Sequence, residues 1–596
     1  MSAPSENAPL LNDDAEARSL REGALPASQR KAMVVAKVSI SLMLVGAAVG
    51  GALLLFLRTA LPPQSPSPTN PLPGGQKGHT KKRNLIMMVS DGFGPASEVF
   101  GRTMACELGP LCNPSKKPDQ KRVGAGWWGP VTPLDALLVG TSRTRSSDSW
   151  VTDSAAGATA FSCAAKSYNG AIGVTDDQKP CGTVFEAAKL AGYKTGIIVT
   201  SRITHATPAS FNSHVLWRDY ENDIAEQQIG AGGLPASLSR ATHLQLGGGR
   251  RHFVPRSDPE SVREDDRDLL AEARSRGMRV LTTRRDFDAL VSSSQLPAIG
   301  VFTPDHMSYN IDADRSVEPT LAEMTRKGLA LLRNATLADP DAPGFMVMIE
   351  GSRIDMAAHS NDAGTHAHEI LHYYKVVQAV REFMDAADPE IEEIAMVSTS
   401  DHETGGLDLA RQVSPSYPTY QWFPAAVARQ KSSTVMLAAR MIAAGVLGSP
   451  VAVKDLVRKH LGVADLSPEE LKFIADPTLT APQLEQALAL TVSVRAQLGW
   501  STHGHTGVDV NLYAYGTDTE LLRGNVENTD VGYFLQTYLN LTSSVESLTA
   551  TLRSSFKFKH PDVPPPHDGP GLLGHHSEGA SQQAQDEARR RAFGHS

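Results

Sequence analysis

The chain has 596 residues, of which 41% are apolar and 20% charged, so a large core is possible and global disorder is excluded. Lys and Arg number 57 against 65 Asp and Glu, a net charge of −8, which argues against a nucleic-acid binder working by general basicity. Four cysteines are too few for a disulfide scaffold.

Residues 38–57 carry no charge and are bracketed by Lys37 and Arg58. At about 1.5 Å per residue such a helix spans about 30 Å, the thickness of a bilayer's hydrocarbon core. The run ends in Pro-rich sequence rather than a small-residue cleavage site, which favours an anchor over a cleaved signal peptide. Arg18, Arg21, Arg30, Lys31 and Lys37 precede it, whereas only Arg58 follows closely. The positive-inside bias predicts a cytosolic tail (1–37), one transmembrane helix (38–58) and a lumenal body, a single-pass type II topology. Within the tail, Glu6 stands four residues before Leu10-Leu11. This resembles the dileucine signal read by sorting adaptors, which would direct the protein to a vacuolar or lysosome-like membrane.

Residues 59–80 are rich in Pro, Ser and Gly and read as a stalk. Residues 81–555 read as one globular region, and 556–596, poor in large apolar residues, as a disordered tail. Within the body, the apolar runs 84–90, 195–200, 344–349, 394–398 and 508–515 read as buried parallel strands. Helical patterns at 184–191, 321–332 and 366–386 alternate with them, predicting an α/β sandwich with a mostly parallel sheet. Ligands in such folds sit beyond the carboxyl ends of the strands.

Four clusters stand at or near those ends. The first strand runs into Ser90-Asp91-Gly92, an ordinary turn signal that also suits a metal-ligating carboxylate. The third runs into Glu350-Gly-Ser-Arg-Ile-Asp355, with His359 four residues beyond Asp355 and so on the same helix face. His366, His368 and His372 are rival ligands, read as a solvated helix face. The fourth strand runs into Asp401-His402, both good Zn²⁺ ligands. His503 and His505 precede the last strand, either of them a candidate. Ser154, in Thr152-Asp153-Ser154-Ala-Ala-Gly, begins an Ala-rich helical stretch. A serine there is most often an N-cap, but the same position offers a phosphate the helix amides and the positive dipole end. Together these parts fit one reaction. Zinc on a serine hydroxyl lowers its pKa, a second zinc stabilises the leaving oxygen, and two metals about 4 Å apart suit in-line phosphoryl displacement.

With these clusters the sequence resembles the metal-dependent alkaline phosphatases over residues 81–545, most like the fungal vacuolar-membrane branch. Tyr168-Asn-Gly-Ala-Ile-Gly-Val174 and Leu246-Gly-Gly-Gly-Arg250 add to the match. The resemblance implies a three-layer α/β sandwich, broad phosphomonoester substrates and a homodimer. It implies Ser154 as the phosphorylated nucleophile, and two Zn²⁺ ions, one held by Asp355, His359 and His505, the other by Asp91, Asp401 and His402. One Mg²⁺ ion would be held by Asp91, Thr207 and Glu350. His505 is preferred to His503 because His505-Thr-Gly-Val-Asp matches the family's last histidine motif. Arg218 would grip the phosphate, with Asp153 orienting it. His205 and Met356 depart from residues common in other members (Asp at the former; Lys or His at the latter), which bears on magnesium affinity and pH optimum. A phosphodiesterase or sulfatase of the same superfamily, or a non-catalytic metal-holding protein, are the alternative readings.

An inserted cap is expected at 411–500, with helices near 451–460 and 468–474. Cys106 and Cys112 are candidates for a pair; Cys163 reads as buried and free, or as the partner of Cys181. Asn334-Ala-Thr336 and Asn540-Leu-Thr542 are glycosylation sequons, usable if the body is lumenal.

Overall fold

The computed structural model describes residues 81–108, 131–233 and 240–563. The chain divides into two units, 1–79 and 80–596, and every described residue belongs to the second. The expected cytosolic tail, anchor and stalk therefore lie outside the described residues, among which no helix is long and apolar enough to cross a membrane.

Fourteen strands form in chain order among the described residues. They are β1 (Lys82–Val89), β2 (Leu138–Arg143), β3 (Lys194–Arg202), β4 (Leu244–Gly248), β5 (Arg279–Leu281), β6 (Ala298–Val301), β7 (Phe345–Glu350) and β8 (Glu392–Thr399), then β9 (Glu403–Thr404), β10 (Leu407–Asp408), β11 (Gly499–Trp500), β12 (His505–Thr506), β13 (Val510–Gly516) and β14 (Gly524–Glu527). Ten of them make one sheet in the order β14-β2-β13-β8-β1-β7-β3-β4-β6-β5. β1 lies at its centre, parallel to both neighbours, with Met87 opposite Met348 on one side and Val397 on the other.

The pleat divides the core in two. Ile86 and Met88 of β1, with Phe345, Val347 and Ile349 of β7, pack on one face of the sheet. Leu85, Met87 and Val89, with Met346 and Met348, pack on the other. Period-two alternation in a strand buried on both faces requires a helical layer on each side. Helices Leu321–Leu337 and Ala363–Asp385 cover the first face; Ser154–Cys163, Val184–Leu190 and Asn528–Tyr538 cover the second. The result is the expected three-layer α/β sandwich with a mostly parallel sheet.

One strand departs from expectation. The run read as a parallel strand at 508–515 forms β13, antiparallel to β2 and β8. The cause is topological: β12 pairs with β9 just beyond the carboxyl end of β8, and only a short turn separates it from β13. With no crossover helix between them, the chain must run back down the sheet.

Between residues 411 and 500 the chain forms helices Pro424–Val427, Thr434–Ala443, Pro450–Leu461, Pro468–Ile474 and Ala481–Ala496. The pairing of Leu407 with Trp500 closes the base of this helical segment, where a cap was expected. Ser467 caps the fourth helix through a reciprocal box with Glu470, and Pro468 occupies its first turn. Asp362 joins this cap to the sandwich. Its buried carboxylate accepts from Thr365 N (3.1 Å) at the start of Ala363–Asp385, from Gln430 Nε2 (2.6 Å) and from Thr434 N (2.7 Å). Asp362→Ala strands several buried donors at once and is expected to lower stability by about 2–4 kcal/mol, measured by chemical unfolding.

Two local expectations are corrected, and one open pairing is decided. His366 and His372 are not a solvated face: both are buried, and His366 sits between Ser97 Oγ (2.9 Å) and the Ile354 carbonyl (3.1 Å). Of the two readings of Cys163 the paired one holds, since it is disulfide-bonded to Cys181; Cys106 is also disulfide-bonded, while Cys112 lies outside the described residues. The segment 556–563, expected to begin a disordered tail, packs on the body. Phe558 and Val563 join Tyr168 and Leu216, and Lys559 pairs with Glu226 at 2.9 Å. Residues 564–596 lie outside the described residues.

Candidate active site

The carboxyl ends of β1, β7 and β8 meet at the middle of the sheet and deliver Asp91, Glu350, Asp401 and His402 to one place. Asp91 and Asp401 each stand two residues past a strand end, and Glu350 is the last residue of β7. Helix Arg353–His359 follows directly and turns Asp355 and His359 toward the same point, with His359 Nε2 at 3.3 Å from Asp355 Oδ1. The β9–β12 ribbon, which sets His505 opposite Thr404, carries the last histidine into place. There His505 Nε2 lies 3.2 Å from His359 Nε2 and 3.7 Å from Asp355 Oδ1, and its ring stacks on His402 with centroids 3.5 Å apart.

Asp153, not Ser154, is the N-cap of helix Ser154–Cys163, accepting from Ala156 N at 3.0 Å. This frees the hydroxyl of Ser154, the first helical residue, to face the cluster at 3.0 Å from His402 Nε2. His402 Nε2 is in turn 3.2 Å from Asp401 Oδ2 and 3.7 Å from Asp91 Oδ1. The other oxygen of Asp153 accepts from Gly170 N (3.0 Å) and from Arg218 Nη1 (2.9 Å). Arg218 Nη2 meets His205 Nε2 at 3.2 Å, so the guanidinium is held on two sides. Burial and the adjacent Arg218 charge push the His205 imidazole well below its usual pKa, so it is neutral and accepts this bond.

Asp91, Thr207, Glu350, Asp355, Asp401 and His402 are all at most 1% exposed, whereas His359 and His505 are half-buried and form the open side. Both Asp91 oxygens, Thr207 Oγ1, Glu350 Oε1, Asp355 Oδ2 and Asp401 Oδ2 are buried without a hydrogen-bond partner. Orphaned buried carboxylates are costly unless a cation neutralises them. Burial, with the charges of Asp401, Asp355 and Glu350, drives Asp91 well above the usual carboxylate range. Burial likewise pushes Glu350 up to about 7, against the hydrogen bond from Ser352. Asp355, although buried, is held well below that range by His359, His505 and His402.

Ligand atoms of Asp355, His402 and His505, and of Asp91, Asp401 and His402, lie within 4.8 Å of one another in two groups. Mixed oxygen and imidazole donors of this kind suit Zn²⁺. The all-oxygen set of Asp91, Thr207 and Glu350 suits Mg²⁺. The residues present therefore fit a cluster of divalent cations.

The expected ligands Asp91, Glu350, Asp355, His359, Asp401, His402 and His505 thus meet Ser154, with Asp153 and Arg218 beside it, whereas the rival histidine His366 lies apart. The supporting hydrogen bonds were not foreseen. Thr404 Oγ1 donates to Asp355 Oδ1 and so accepts from His402 Nδ1, 3.2 Å away, which turns Nε2 toward Ser154. Ser352 Oγ donates to Glu350 Oε2 at 2.7 Å. The Thr152 carbonyl lies 2.7 Å from His505 Nδ1, and His503, the rejected candidate, bonds the His359 carbonyl at 2.7 Å through Nδ1. Met356 is buried against Tyr309 and Val435, where it joins the site helix to the cap.

A serine at a helix start, an arginine held beside it and carboxylate–histidine groups beyond a parallel sheet define a metal-dependent phosphoryl hydrolase. The family model for alkaline phosphatase matches residues 82–541, and the chain belongs to that family. It is 44% identical over 485 residues to an alkaline phosphatase of Schizosaccharomyces pombe, covering 81% of this chain and 86% of the relative. To the repressible alkaline phosphatase of Saccharomyces cerevisiae it is 42% identical, covering 77% and 82%. Among solved structures, a cold-active alkaline phosphatase from Shewanella aligns at TM-score 0.61 and 30% identity, covering 76% of this chain and 99% of that one. The Thermus thermophilus alkaline phosphatase aligns at TM-score 0.62 and 26% identity, covering 79% and 96%. The resemblance to fungal alkaline phosphatases is borne out, and the chain is a phosphomonoester hydrolase of a metal-dependent family.

Proposed function

We propose that the protein hydrolyses phosphate monoesters in two displacements through a phosphoserine at Ser154. Ser154 Oγ attacks phosphorus, a P–O bond forms to the serine, and the ester P–O bond breaks as the alcohol leaves. Water then attacks the phosphoserine and releases phosphate and the free hydroxyl. Arg218, fixed by Asp153 and His205, binds non-bridging phosphoryl oxygens with its planar fork. The amino end of helix Ser154–Cys163 adds backbone amides and a positive dipole end beneath the same group.

Asp355, His359 and His505 would hold one Zn²⁺, Asp91, Asp401 and His402 the other, and Asp91, Thr207 and Glu350 the Mg²⁺. When bound, these ions supply charge neutralisation for the phosphoryl group and lower the pKa of hydroxyl and water. The observation that carries this reading is the Ser154 hydroxyl set 3.0 Å from His402 Nε2, among carboxylates that each keep at least one buried oxygen without a hydrogen bond.

The test is hydrolysis of p-nitrophenyl phosphate at alkaline pH by the full chain in detergent, before and after chelation and after restoring Zn²⁺ and Mg²⁺. Turnover is expected to vanish with the chelator and return with both metals. Metal-independent turnover, or none in the fully metallated protein, would overturn the reading. A substrate panel including phosphodiesters and sulfate esters accompanies it, with monoesters expected to be preferred.

The same proposal includes a single-pass type II protein of a vacuolar membrane with its catalytic body in the lumen, acting as a homodimer. The uncharged run at 38–57, the basic residues before it and the Glu6-to-Leu11 motif, which resembles a handle for a sorting adaptor, support this placement. The exposed sequon asparagines Asn334 and Asn540 are compatible with a lumenal glycoprotein.

A further inference from the structure

A second unusual group of side chains lies at the opposite edge of the sandwich, where β3 and β4 begin. Lys189 occupies the last turn of helix Val184–Leu190. Lys194 opens β3, and Arg240 and His243 lie in the segment leading into β4. Ser154, Thr207 and the carboxylates described above lie beyond the other ends of these strands, so the phosphatase centre makes no use of this group.

Hydrogen-bond bookkeeping fixes the protonation here. The Thr195 backbone N–H donates to His243 Nδ1 at 3.0 Å. A backbone N–H can only donate, so Nδ1 carries the lone pair. The Thr195 hydroxyl, 3.2 Å from the same nitrogen, gives its own proton to the Ala241 carbonyl at 2.6 Å. The neutral imidazole therefore carries its proton on Nε2. Lys189 Nζ lies 2.7 Å from that Nε2. Two donors cannot share a bond of that length, so this contact favours the form in which Lys189 accepts, a neutral amine, over the ammonium form.

The surrounding charges agree. Arg240 and Lys194 both bear on Lys189, and burial outweighs either. Lys194 is engaged by Asp339 at 2.7 Å, and Arg240 donates through Nε to the Thr242 carbonyl at 2.9 Å. On Lys189's own helix, Glu186 is turned inward to His214 at 2.9 Å. Residues 234–239, which precede Arg240, contain no ionisable side chain.

The geometry points to Lys189 as an acylation site: a half-buried neutral amine, held by His243 and crowded by cations, that reacts with activated esters or thioesters. The Nζ lone pair attacks the carbonyl carbon and an N–C bond forms. The C–O or C–S bond then breaks, and the proton lost from nitrogen goes to the departing alkoxide or thiolate. A neutral amine is nucleophilic where an ordinary lysine, with a pKa near about 10.4, is almost wholly protonated.

The experiment is trace labelling of the full chain in detergent with acetyl N-hydroxysuccinimide ester over pH 6.5 to 10, followed by peptide mass spectrometry. Exposed Lys454 and Lys472 serve as internal references. Lys189 is expected to label about 10-fold faster than the references at pH 7.5. Its rate should titrate with a midpoint near about 8. Arg240→Gln should move that midpoint upward, while Lys189→Arg should leave p-nitrophenyl phosphate turnover unchanged and abolish label at this peptide. A Lys189 midpoint no lower than that of the references, or absence of label at every pH, would overturn the proposal. The wild-type titration decides this even if the Arg240 variant fails to fold.

Discussion

Ser154→Ala is expected to cut kcat/KM for p-nitrophenyl phosphate by about 10³-fold or more, since it removes the hydroxyl that forms the proposed covalent intermediate. The substitution isolates chemistry from structure. Alanine is the best helix former, and the cap of this helix belongs to Asp153, whose bond to Ala156 N does not involve the serine side chain. The orphaned oxygens of Asp91, Glu350, Asp355 and Asp401 are untouched, so metal content measured by mass spectrometry should equal wild type. The lost hydroxyl removes one bond to His402, worth about 1 kcal/mol, which is too small to unfold the domain. Acid-quenched protein incubated with labelled phosphate should carry label at Ser154 in wild type and none in the variant. A variant that keeps its turnover with full metal content would falsify the phosphoserine route.

The centre was legible because its ligands follow apolar runs. Leu85 to Val89, Phe345 to Ile349 and Ala395 to Val397 are fully buried, and such runs in an α/β pattern mark strand ends where ligands gather. What the sequence concealed was mostly orientation. A strand's direction is not written in its composition, so β13 was read as parallel although the turn after β12 reverses the chain. The burial of His366 did leave a trace: with Ile370, Tyr373, Tyr374 and Val377 it falls at i, i+4, i+7, i+8 and i+11, the core face of one helix. Treating the histidines as a group hid that stripe. Thr404 also left a signal, two residues beyond His402 in an extended segment and hence on the same side of it. By contrast, the Thr152 carbonyl that aims His505, and the Gly170 amide that fixes Asp153, are backbone groups from distant loops. No residue type announces them.

The arrangement of the supporting bonds says which ligand matters most. Resemblance divides the histidines evenly, with His359 and His505 on one zinc and His402 on the other. The geometry is less even, because His402 belongs to both compact groups of ligand atoms, stacks on His505 and faces Ser154. Through Nδ1 it also touches Thr404, which bonds Asp355. His359 meets Asp355 and His505 but is in neither compact group, and its Nδ1 is engaged by the His503 carbonyl at the half-buried rim.

His402→Ala is therefore expected to damage both metal positions, whereas His359→Ala should damage one. The direction follows from charge. Asp91 is already driven up by burial and by its carboxylate neighbours, and Asp401 is kept low in part by His402. Removing the imidazole takes away the main counter-charge on Asp401 and leaves Arg218 and His505 to offset the repulsion between Asp91 and Asp401, which lowers their ability to ionise together and bind a cation. Turnover should fall by about 10²-fold or more in both variants, and further in His402→Ala. The informative readout is the metal itself. Chelator competition should show His402→Ala losing more than one equivalent, and added Zn²⁺ should restore His359→Ala in part but not His402→Ala. Equal metal loss and equal rescue in the two variants would mean that the groups bind independently and that the bridge through His402 and Thr404 carries no coupling.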